Sequence, residues 1–236
     1  MSRELLSSKI AIFNMSAADI PESVNWIERG AMTSVKNQRK CGCCWAFATV
    51  ATLESAWQIK TGNLISLSAQ FFVDCDWQSR ACNGTDSLYY AYYLATLRAG
   101  GIPSEDDYPF RGVKQTCRND ALPTAGFRGF GYILPVEDYL LQAVAQQPVA
   151  GYIAASDELK HFKGGEIYSG SCASKLNHAV VIVGYGTSDD GTKYWLIRNS
   201  WGEEWGESGY FRLIRGTGIP GGHCGINSNY SFYPFI

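Results

Sequence analysis

Apolar residues recur at helical spacing along the stretch that begins at Cys44. Glu54 is the one charged residue between this start and Lys60, so a helix here would be buried on nearly every side. Gly62 follows the pattern, and glycine readily adopts the left-handed conformation that closes a helix. The pattern therefore predicts a long, buried first helix.

Three shorter helices are predicted further along the chain. Ser68 offers an N-cap for a short helix through the two phenylalanines that follow it. A third helix is expected from about Asp86 to Arg98, opened by Thr85 or by Asp86 itself and closed by a Gly-Gly pair. The first half of the chain is therefore predicted to be largely helical, and a fourth helix is expected near Glu137 to Gln146 in the second half.

Apart from that fourth helix, the chain after about residue 130 has the pattern of strands. Runs rich in β-branched and aromatic residues are separated by Asp-Gly and Gly-rich turns. The predicted strands are "AVVIVGYG" at 179–186, "KYWLIRNS" at 193–200 and "GYFRLIRG" at 209–216. A helical half followed by a strand-rich half predicts an α+β protein of two lobes with a groove between them.

Composition narrows the function classes. The 236 residues are 46% hydrophobic and 14% aromatic, enough to bury a substantial core, so a disordered chain is excluded. The net charge is −2, and the basic residues are scattered. We therefore expect neither a nucleic-acid groove nor a surface for anionic membranes.

Cysteines and glycosylation sequons indicate the compartment. The chain has eight cysteines and three Asn-x-Ser/Thr sequons, at Asn14, Asn83 and Asn229, as expected in an oxidising, glycosylating compartment. No stretch reaches the roughly 20 apolar residues that span a bilayer, and the first residues lack the apolar segment of a secretory signal. We expect a processed form without its targeting segment.

The stretch "RKCGCCWAF" at 39–47 packs three cysteines into four positions. Such a cluster could be a metal clip, part of a disulfide framework or a reactive nucleophile. Cys44 opens the predicted buried helix, and a helix N-terminus with a nearby imidazolium lowers a thiol pKa from about 8.5 toward roughly 3.5–7.5. A zinc site is disfavoured, because no second C-x-x-C or His pair at ligand spacing follows. We expect neither a metal nor a cofactor.

The search for a base is short, because the chain has only three histidines. His178 begins an apolar strand, where its ring can be held rigidly at the edge of a lobe. Asn199 comes twenty-one residues later in "IRNSWG" and could accept the second imidazole N–H. Taken alone, a histidine such as His178 is more often a core residue than a base, and only the flanking residues and "RNSWG" favour the base; His161 and His223 have no comparable context.

Together these stretches resemble the papain family of cysteine peptidases. They run in family order over about residues 20–236: "SVNWIERGAMTSVKNQRKCGCCWAFA", "FFVDC", "ACNG", "YPFRGVKQTC", "LNHAVVIVGYG", "KYWLIRNSWGEEWGESGYFRL" and "HCGI". The resemblance implies that Cys44 is the nucleophile, His178 the general base and acid, and Asn199 the orienting residue. Gln38 would be the side-chain donor of the oxyanion hole, beside the backbone N–H of Cys44. Trp201 would shield the His–Asn hydrogen bond.

The resemblance also implies the domain organisation. We expect a two-lobed papain-like α+β fold whose cleft holds the active site. The helical lobe would span about 29–131. An antiparallel, β-barrel-like lobe would span about 132–236 together with 20–28. Residues 1–19 would be a residual propeptide.

By the same resemblance, six cysteines pair and two remain free. The implied disulfides are Cys41–Cys82, Cys75–Cys117 and Cys172–Cys224. Cys43 stands where relatives usually carry Ser or Ala. It is either a tolerated exchange of similar volume or a second oxidisable thiol. Under the second hypothesis, a Cys43→Ser variant would lose less activity to mild peroxide.

The substrate groove departs further from the family pattern. "CNGTDS" replaces the usual "CNGG" followed by an aromatic residue and Pro, which places Thr85 where a glycine normally lets the substrate backbone approach. Tyr152 falls near a position usually held by Ala or Val, and Asn229 near one that helps close the specificity pocket. We expect a smaller, more polar pocket for the residue preceding the cleaved position. The predicted substrate-binding residues are Gly84, Thr85, Asp86, Ser87, Tyr152, Asn177 and Asn229.

The function implied is that of a monomeric cysteine endopeptidase that hydrolyses protein or peptide substrates through an acyl-enzyme. Expected partners besides substrates are its own inhibitory propeptide and cystatin-like inhibitors. The expected location is the secretory pathway, ending in a vacuole, a lysosome or the extracellular space. The alternative is a binding, storage or defence protein that keeps the fold while the altered groove restricts activity.

Overall fold

The computed structural model describes residues 9–10, 19–98 and 100–236, in which five α-helices are formed. They are α1 (Cys44–Thr61), α2 (Ala69–Cys75), α3 (Tyr89–Leu97), α4 (Glu137–Gln146) and α5 (Asp157–Lys160). Within these ranges, no helix has both the length and the apolarity needed to cross a membrane.

Eleven strands are formed in the same part of the chain. They are β1 (Lys9–Ile10), β2 (Val24–Asn25), β3 (Ile102–Pro103), β4 (Pro123–Ala125), β5 (Gly129–Ile133), β6 (Val149–Ile153), β7 (Ile167–Tyr168), β8 (His178–Thr187), β9 (Lys193–Arg198), β10 (Tyr210–Ile214) and β11 (Ser231–Phe235). The three predicted strands correspond to β8, β9 and β10. The strand pattern did not identify β5, β6 and β11.

Helix α1 confirms the predicted long, buried helix. It begins at Cys44, and every residue from Trp45 to Ala56 is buried. Its last residue is Thr61, and Gly62 follows as the C-cap with a φ of 79° in the left-handed region. The N–H of Gly62 donates to the Gln58 carbonyl and so closes the last turn. The helix packs against β6, β8 and β11, so it lies between the lobes with its N-terminus at their junction.

Helices α2 and α4 agree with the prediction, α3 begins later than predicted, and α5 was not predicted. Helix α4 has the predicted bounds, and Ser68 caps α2. Helix α3 begins at Tyr89, three residues later than expected, because the polar side chains before it make other contacts. The Asp86 carboxylate pairs with Arg80 at 2.8 Å, and the hydroxyl of Thr85 bonds to the Ser87 carbonyl.

Nine of the strands form one sheet around β8, the longest. The pairs β6–β8, β8–β9 and β9–β10 are antiparallel, whereas β1–β5 and β7–β10 are parallel. Every residue of β8 except Thr187 is buried. His178 thus opens a strand that is held on both edges, which fixes its position.

The sheet contains residues from both ends of the predicted strand-rich lobe. Strand β2 pairs with β8, which places Val24 and Asn25 in the sheet. The sheet also includes Gly129–Ile133, which pairs with β11. The two-lobed α+β architecture is confirmed.

Three disulfides brace the lobes. Cys41–Cys82 and Cys75–Cys117 lie in the helical lobe, and Cys172–Cys224 lies in the strand-rich lobe. These are the pairs implied by the family resemblance. Each closes a loop of more than 40 residues, and such bridges typically stabilise a fold by about 2–4 kcal/mol.

Backbone hydrogen bonds join the lobes beside the groove. The N–H of Gln38 donates to the Ser200 carbonyl at 2.8 Å, and the N–H of Gly202 donates to the Lys36 carbonyl at 3.1 Å. Arg198 adds a side-chain bond from Nη2 to the Ser34 carbonyl at 2.6 Å. The chain just before α1 and the chain just after β9 are therefore held in fixed register.

We expect Ser68→Ala to lower the free energy of unfolding by about 1–3 kcal/mol. The Ser68 hydroxyl accepts from the N–H of Phe71 at 2.9 Å and donates to the Tyr108 carbonyl at 2.6 Å, in a fully buried position. Ser66→Ala is the matched control, because the Ser66 hydroxyl is buried with no hydrogen-bond partner among the described residues. Denaturant unfolding should show the loss only for Ser68, and equal losses would contradict the capping role.

Candidate active site

Cys44 is placed at the groove by the tight turn before α1. Gly42 donates its N–H to the Cys82 carbonyl at 2.8 Å, next to the Cys41–Cys82 bridge. A Cβ at Gly42 would lie 2.5 Å from that carbonyl oxygen, so only glycine fits at this contact. The bridge and the close approach fix where the helix starts, and with it the Cys44 thiol.

The first residues of β8 meet this thiol. The N–H of Ala179 donates to Cys44 Sγ at 3.4 Å, and His178 is 6% exposed. Burial of the Cys44 thiol opposes ionisation. The charge of His178, together with hydrogen bonds from His178, Ala179 and Trp45, outweighs that effect and holds the pKa of Cys44 below its ordinary value. The site therefore favours the thiolate form of Cys44 beside His178.

Asn199 fixes the tautomer of His178. Its Oδ1 lies 2.8 Å from His178 Nε2 and also accepts the N–H of Ser200 at 2.8 Å. Because a backbone N–H can only donate, the Asn199 atom is the oxygen, and His178 Nε2 must carry the proton. Nδ1 is then the ring nitrogen left for Cys44.

Trp201 covers the imidazole. Its indole stacks on the His178 ring with centroids 4.6 Å apart and an interplanar angle of 28°. Asn199 is 3% exposed behind it. The indole keeps water away from the His–Asn hydrogen bond, which makes that bond stronger than it would be in water.

Gln38 presents a donor beside Cys44. Its Nε2 donates to the Cys41 carbonyl at 2.9 Å, and its Oε1 accepts from the Ser200 hydroxyl at 2.7 Å. These two bonds orient the amide and leave one N–H hydrogen free. The N–H of Cys44, in the first turn of α1, has no partner within the helix. Two N–H groups are thus available for an oxyanion.

The groove brings most of the predicted substrate-binding residues together with Cys44, His178 and Gln38. It has a volume of about 480 Å³. Its predicted lining residues are Gly84, Thr85, Asp86, Tyr152, Asn177 and Asn229. Ser87 is adjacent rather than lining, and accepts the Thr85 hydroxyl through its carbonyl at 3.1 Å. Asn199 and Trp201 lie behind His178 rather than in the groove wall.

Further residues of the site escaped the sequence reasoning. Trp45, Leu176 and Ala179 also line the groove. Ser200 orients the Gln38 amide and was not predicted as a site residue. Its place inside "NSWG" was the available signal. The motif marks this segment as important, but it does not indicate which partner the hydroxyl faces.

Cys43 is separated from the reactive thiol despite its place in the sequence. It is fully buried, and burial, followed by the neighbouring Cys44, raises its pKa to about 12. A thiol in that state is a poor nucleophile and reacts slowly with oxidants. The structure therefore favours the tolerated exchange over a redox role.

The remaining metal and histidine alternatives lie away from the groove. Among the described residues, one group could offer three metal ligands: Cys172, His223 and Cys224. Its two sulfurs form a disulfide and are not available as thiolates. His161 Nδ1 bonds to the Asp157 carbonyl on the surface.

Two of the three sequons border the groove. Asn83 and Asn229 are exposed, and both line it. Asn14 lies outside the described residues.

Comparisons with known proteins agree with this geometry. The family model described as "Papain family cysteine protease" matches residues 20–234. Fruit bromelain from Ananas comosus is 40% identical over 215 residues, covering 90% of this chain and 60% of the bromelain sequence. The chain thus spans about three fifths of the length of that curated relative.

Solved structures share the fold. The bromelain protease from Ananas comosus in complex with the E64 inhibitor has a TM-score of 0.87 at 38% identity, covering 92% of this chain and 100% of that chain. A recombinant stem bromelain precursor has a TM-score of 0.87 at 36% identity, covering 99% of this chain and 75% of that chain. Because the family model spans nearly the whole chain and the architecture matches, the chain belongs to the papain family of cysteine proteases.

Proposed function

We propose that this protein is a cysteine endopeptidase that hydrolyses peptide bonds of protein substrates through a Cys-His-Asn mechanism. The observation that carries the proposal is the pairing of the Cys44 thiol with His178 beside an open groove, while Asn199 holds the far ring nitrogen. A low-pKa thiol and a base of fixed tautomer are what thiol-based acyl transfer needs. This intact arrangement favours catalysis over a binding, storage or defence role.

The reaction begins when the Cys44 thiolate attacks the substrate carbonyl carbon. A C–S bond forms, and the carbonyl electrons move to the oxygen. The N–H of Cys44 and the free Nε2–H of Gln38 donate to this oxyanion. When the intermediate collapses, the C–N bond breaks and His178 gives its Nδ1 proton to the leaving amine.

The same groups release the acyl chain. His178 takes a proton from water at Nδ1 as the water oxygen attacks the thioester carbon. Collapse breaks the C–S bond, frees the carboxylic acid product and restores the thiolate and imidazolium. Asn199 keeps Nε2 bonded throughout, so the ring does not turn away from Cys44.

Substrates would lie extended along the groove against Gly84, Thr85, Asp86, Asn177 and their neighbours. We propose that the protein acts as a monomer, and that residues 1–19 derive from an inhibitory propeptide. Two observations support that origin: the family match starts at residue 20, and the recombinant stem bromelain precursor covers 99% of this chain whereas the bromelain protease bound to E64 covers 92%. Cystatin-like inhibitors would compete for the same groove.

The proposed location is the secretory pathway, ending in a vacuole, a lysosome or the extracellular space. Three disulfides support it, because such bridges persist in oxidising compartments. N-glycosylation at Asn83 and Asn229 would follow from passage through that pathway, and both side chains are exposed to accept a glycan.

Alkylation of the native protein should report the lowered pKa of Cys44. At about pH 6, an ordinary thiol of pKa about 8.5 is well under 1% ionised. A lowered pKa increases the thiolate fraction at this pH, so iodoacetamide should label Cys44 quickly. We expect His178→Ala to slow labelling by about tenfold or more, with the surface variant His161→Ala as control.

Mass spectrometry should find a single adduct, with none on Cys43. Equal rates in all three proteins would contradict the assigned pair.

Turnover tests the proposed function directly. We expect a thiol-directed peptidyl inhibitor to form an adduct at Cys44, and a panel of dipeptidyl fluorogenic substrates to be cleaved between about pH 5 and pH 7. Cys44→Ala should abolish both, whereas Cys43→Ser should retain both, because its side chain faces the core. Absence of an adduct and of turnover in the parent protein would refute the proposal.

Gln38→Ala should lower kcat by about 10²- to 10³-fold with little change in KM, because the lost donor acts mainly in the transition state. The rate of Cys44 alkylation should stay close to that of the parent. Gln78→Ala, an exposed glutamine away from the groove, is the control. A change confined to KM would indicate that Gln38 only binds substrate.

A further inference from the structure

Tyr152 stands next to the reacting atoms. It lies in β6 opposite Ala179 of β8, the residue whose N–H contacts Cys44 Sγ. Directly opposed residues of antiparallel strands project from the same face of a sheet. The Tyr152 side chain therefore enters the groove beside Cys44, and it is one of the lining residues.

The phenol also reaches across the groove. Its oxygen accepts the N–H of Leu88 at 2.5 Å, on the helical lobe just before α3. Leu88 is fully buried, so this N–H has the phenol as its partner in place of water. Tyr152 thus extends from the strand-rich lobe to the helical lobe and crosses this end of the groove.

The groove wall around this ring is polar. The Asp86 carboxylate at the rim pairs with Arg80, and the Thr85 hydroxyl bonds to the Ser87 carbonyl. On the other wall, the Asn177 amide makes two bonds to the backbone of Ala155. A large apolar side chain entering here would meet the Tyr152 ring and these polar groups.

We propose that Tyr152 determines substrate specificity by closing the groove next to Cys44, so that the substrate side chain facing it must be small. The inference rests on the proposed peptidase function and goes beyond it to name a substrate class. An extended peptide places alternate side chains on opposite faces, so one position near the cleaved bond has to face this ring. Bulky apolar residues are excluded at that position, and Gly, Ala and Ser are accepted.

Two roles of Tyr152 can be separated by substitution. Tyr152→Ala removes the ring and should open a pocket. Tyr152→Phe keeps the ring but loses the phenol oxygen, which leaves the buried Leu88 N–H unpaired. We expect Tyr152→Phe to keep the preference for small side chains while lowering the Tm by a few degrees.

The concentration of active sites is first measured by titration with a thiol-directed inhibitor. Positional scanning with fluorogenic tetrapeptides then tests the inference. The parent protein should prefer small residues at one position near the cleaved bond. Tyr152→Ala should raise the kcat/KM ratio of leucine to alanine there by about 10- to 100-fold. Tyr152→Val keeps an apolar strand residue and serves if the alanine variant fails to fold. Tyr139→Ala, a partly exposed tyrosine on α4, is the control.

The failures of the two proposals are distinguishable. An unchanged ratio in Tyr152→Ala and Tyr152→Val, with active sites still countable, would overturn the role of Tyr152 alone. A parent protein that already accepts leucine at every position would do the same. A parent protein with no countable active site would overturn the peptidase function and this inference with it.

Discussion

The meeting of the start of α1 with the start of β8 is the contact on which the rest of this protein depends. The helix supplies the Cys44 thiol and an unpaired N–H, and the strand supplies His178 and the N–H of Ala179. Both elements are buried along most of their length, so neither can slide without exposing core side chains. Ionising a thiol in such a place is unfavourable by burial alone. Only the nearby imidazolium and the hydrogen bonds around the sulfur reverse that preference.

The turn before α1 shows how the backbone gives different chemistry to three cysteines within four positions. Cys41 is held by its disulfide, and Gly42 lies against the Cys82 carbonyl at a distance that no other residue allows. The chain then enters the helix, which directs Cys43 into the core and Cys44 into the groove. Burial and the neighbouring Cys44 raise the pKa of Cys43, whereas the charge of His178 and the hydrogen bonds around the sulfur outweigh burial and lower the pKa of Cys44.

The helices and the candidate active site could be predicted from the sequence wherever a local pattern of residues determines them. The bounds of α4 and the cap at Ser68 follow from periodicity and side-chain chemistry close in the chain. The start of α3 could not be predicted, because Asp86 pairs with Arg80 instead of capping the helix. The residue types around Cys44, His178 and Asn199 indicated the chemistry. The hydrogen bonds from Ser200 to Gln38 and from the Leu88 N–H to Tyr152 each join residues more than 60 positions apart. No local pattern in the sequence indicates such partners.

The segment Asn199–Trp201 belongs to the strand-rich lobe, yet it serves both halves of the site. Asn199 orients the imidazole, Trp201 covers it, and Ser200 holds the amide of Gln38 on the helical lobe. If the lobes separate, His178 moves away from the Cys44 sulfur and Gln38 loses the bond from Ser200 in the same movement. Under the proposed mechanism, one opening motion would therefore weaken both the base and the oxyanion donor.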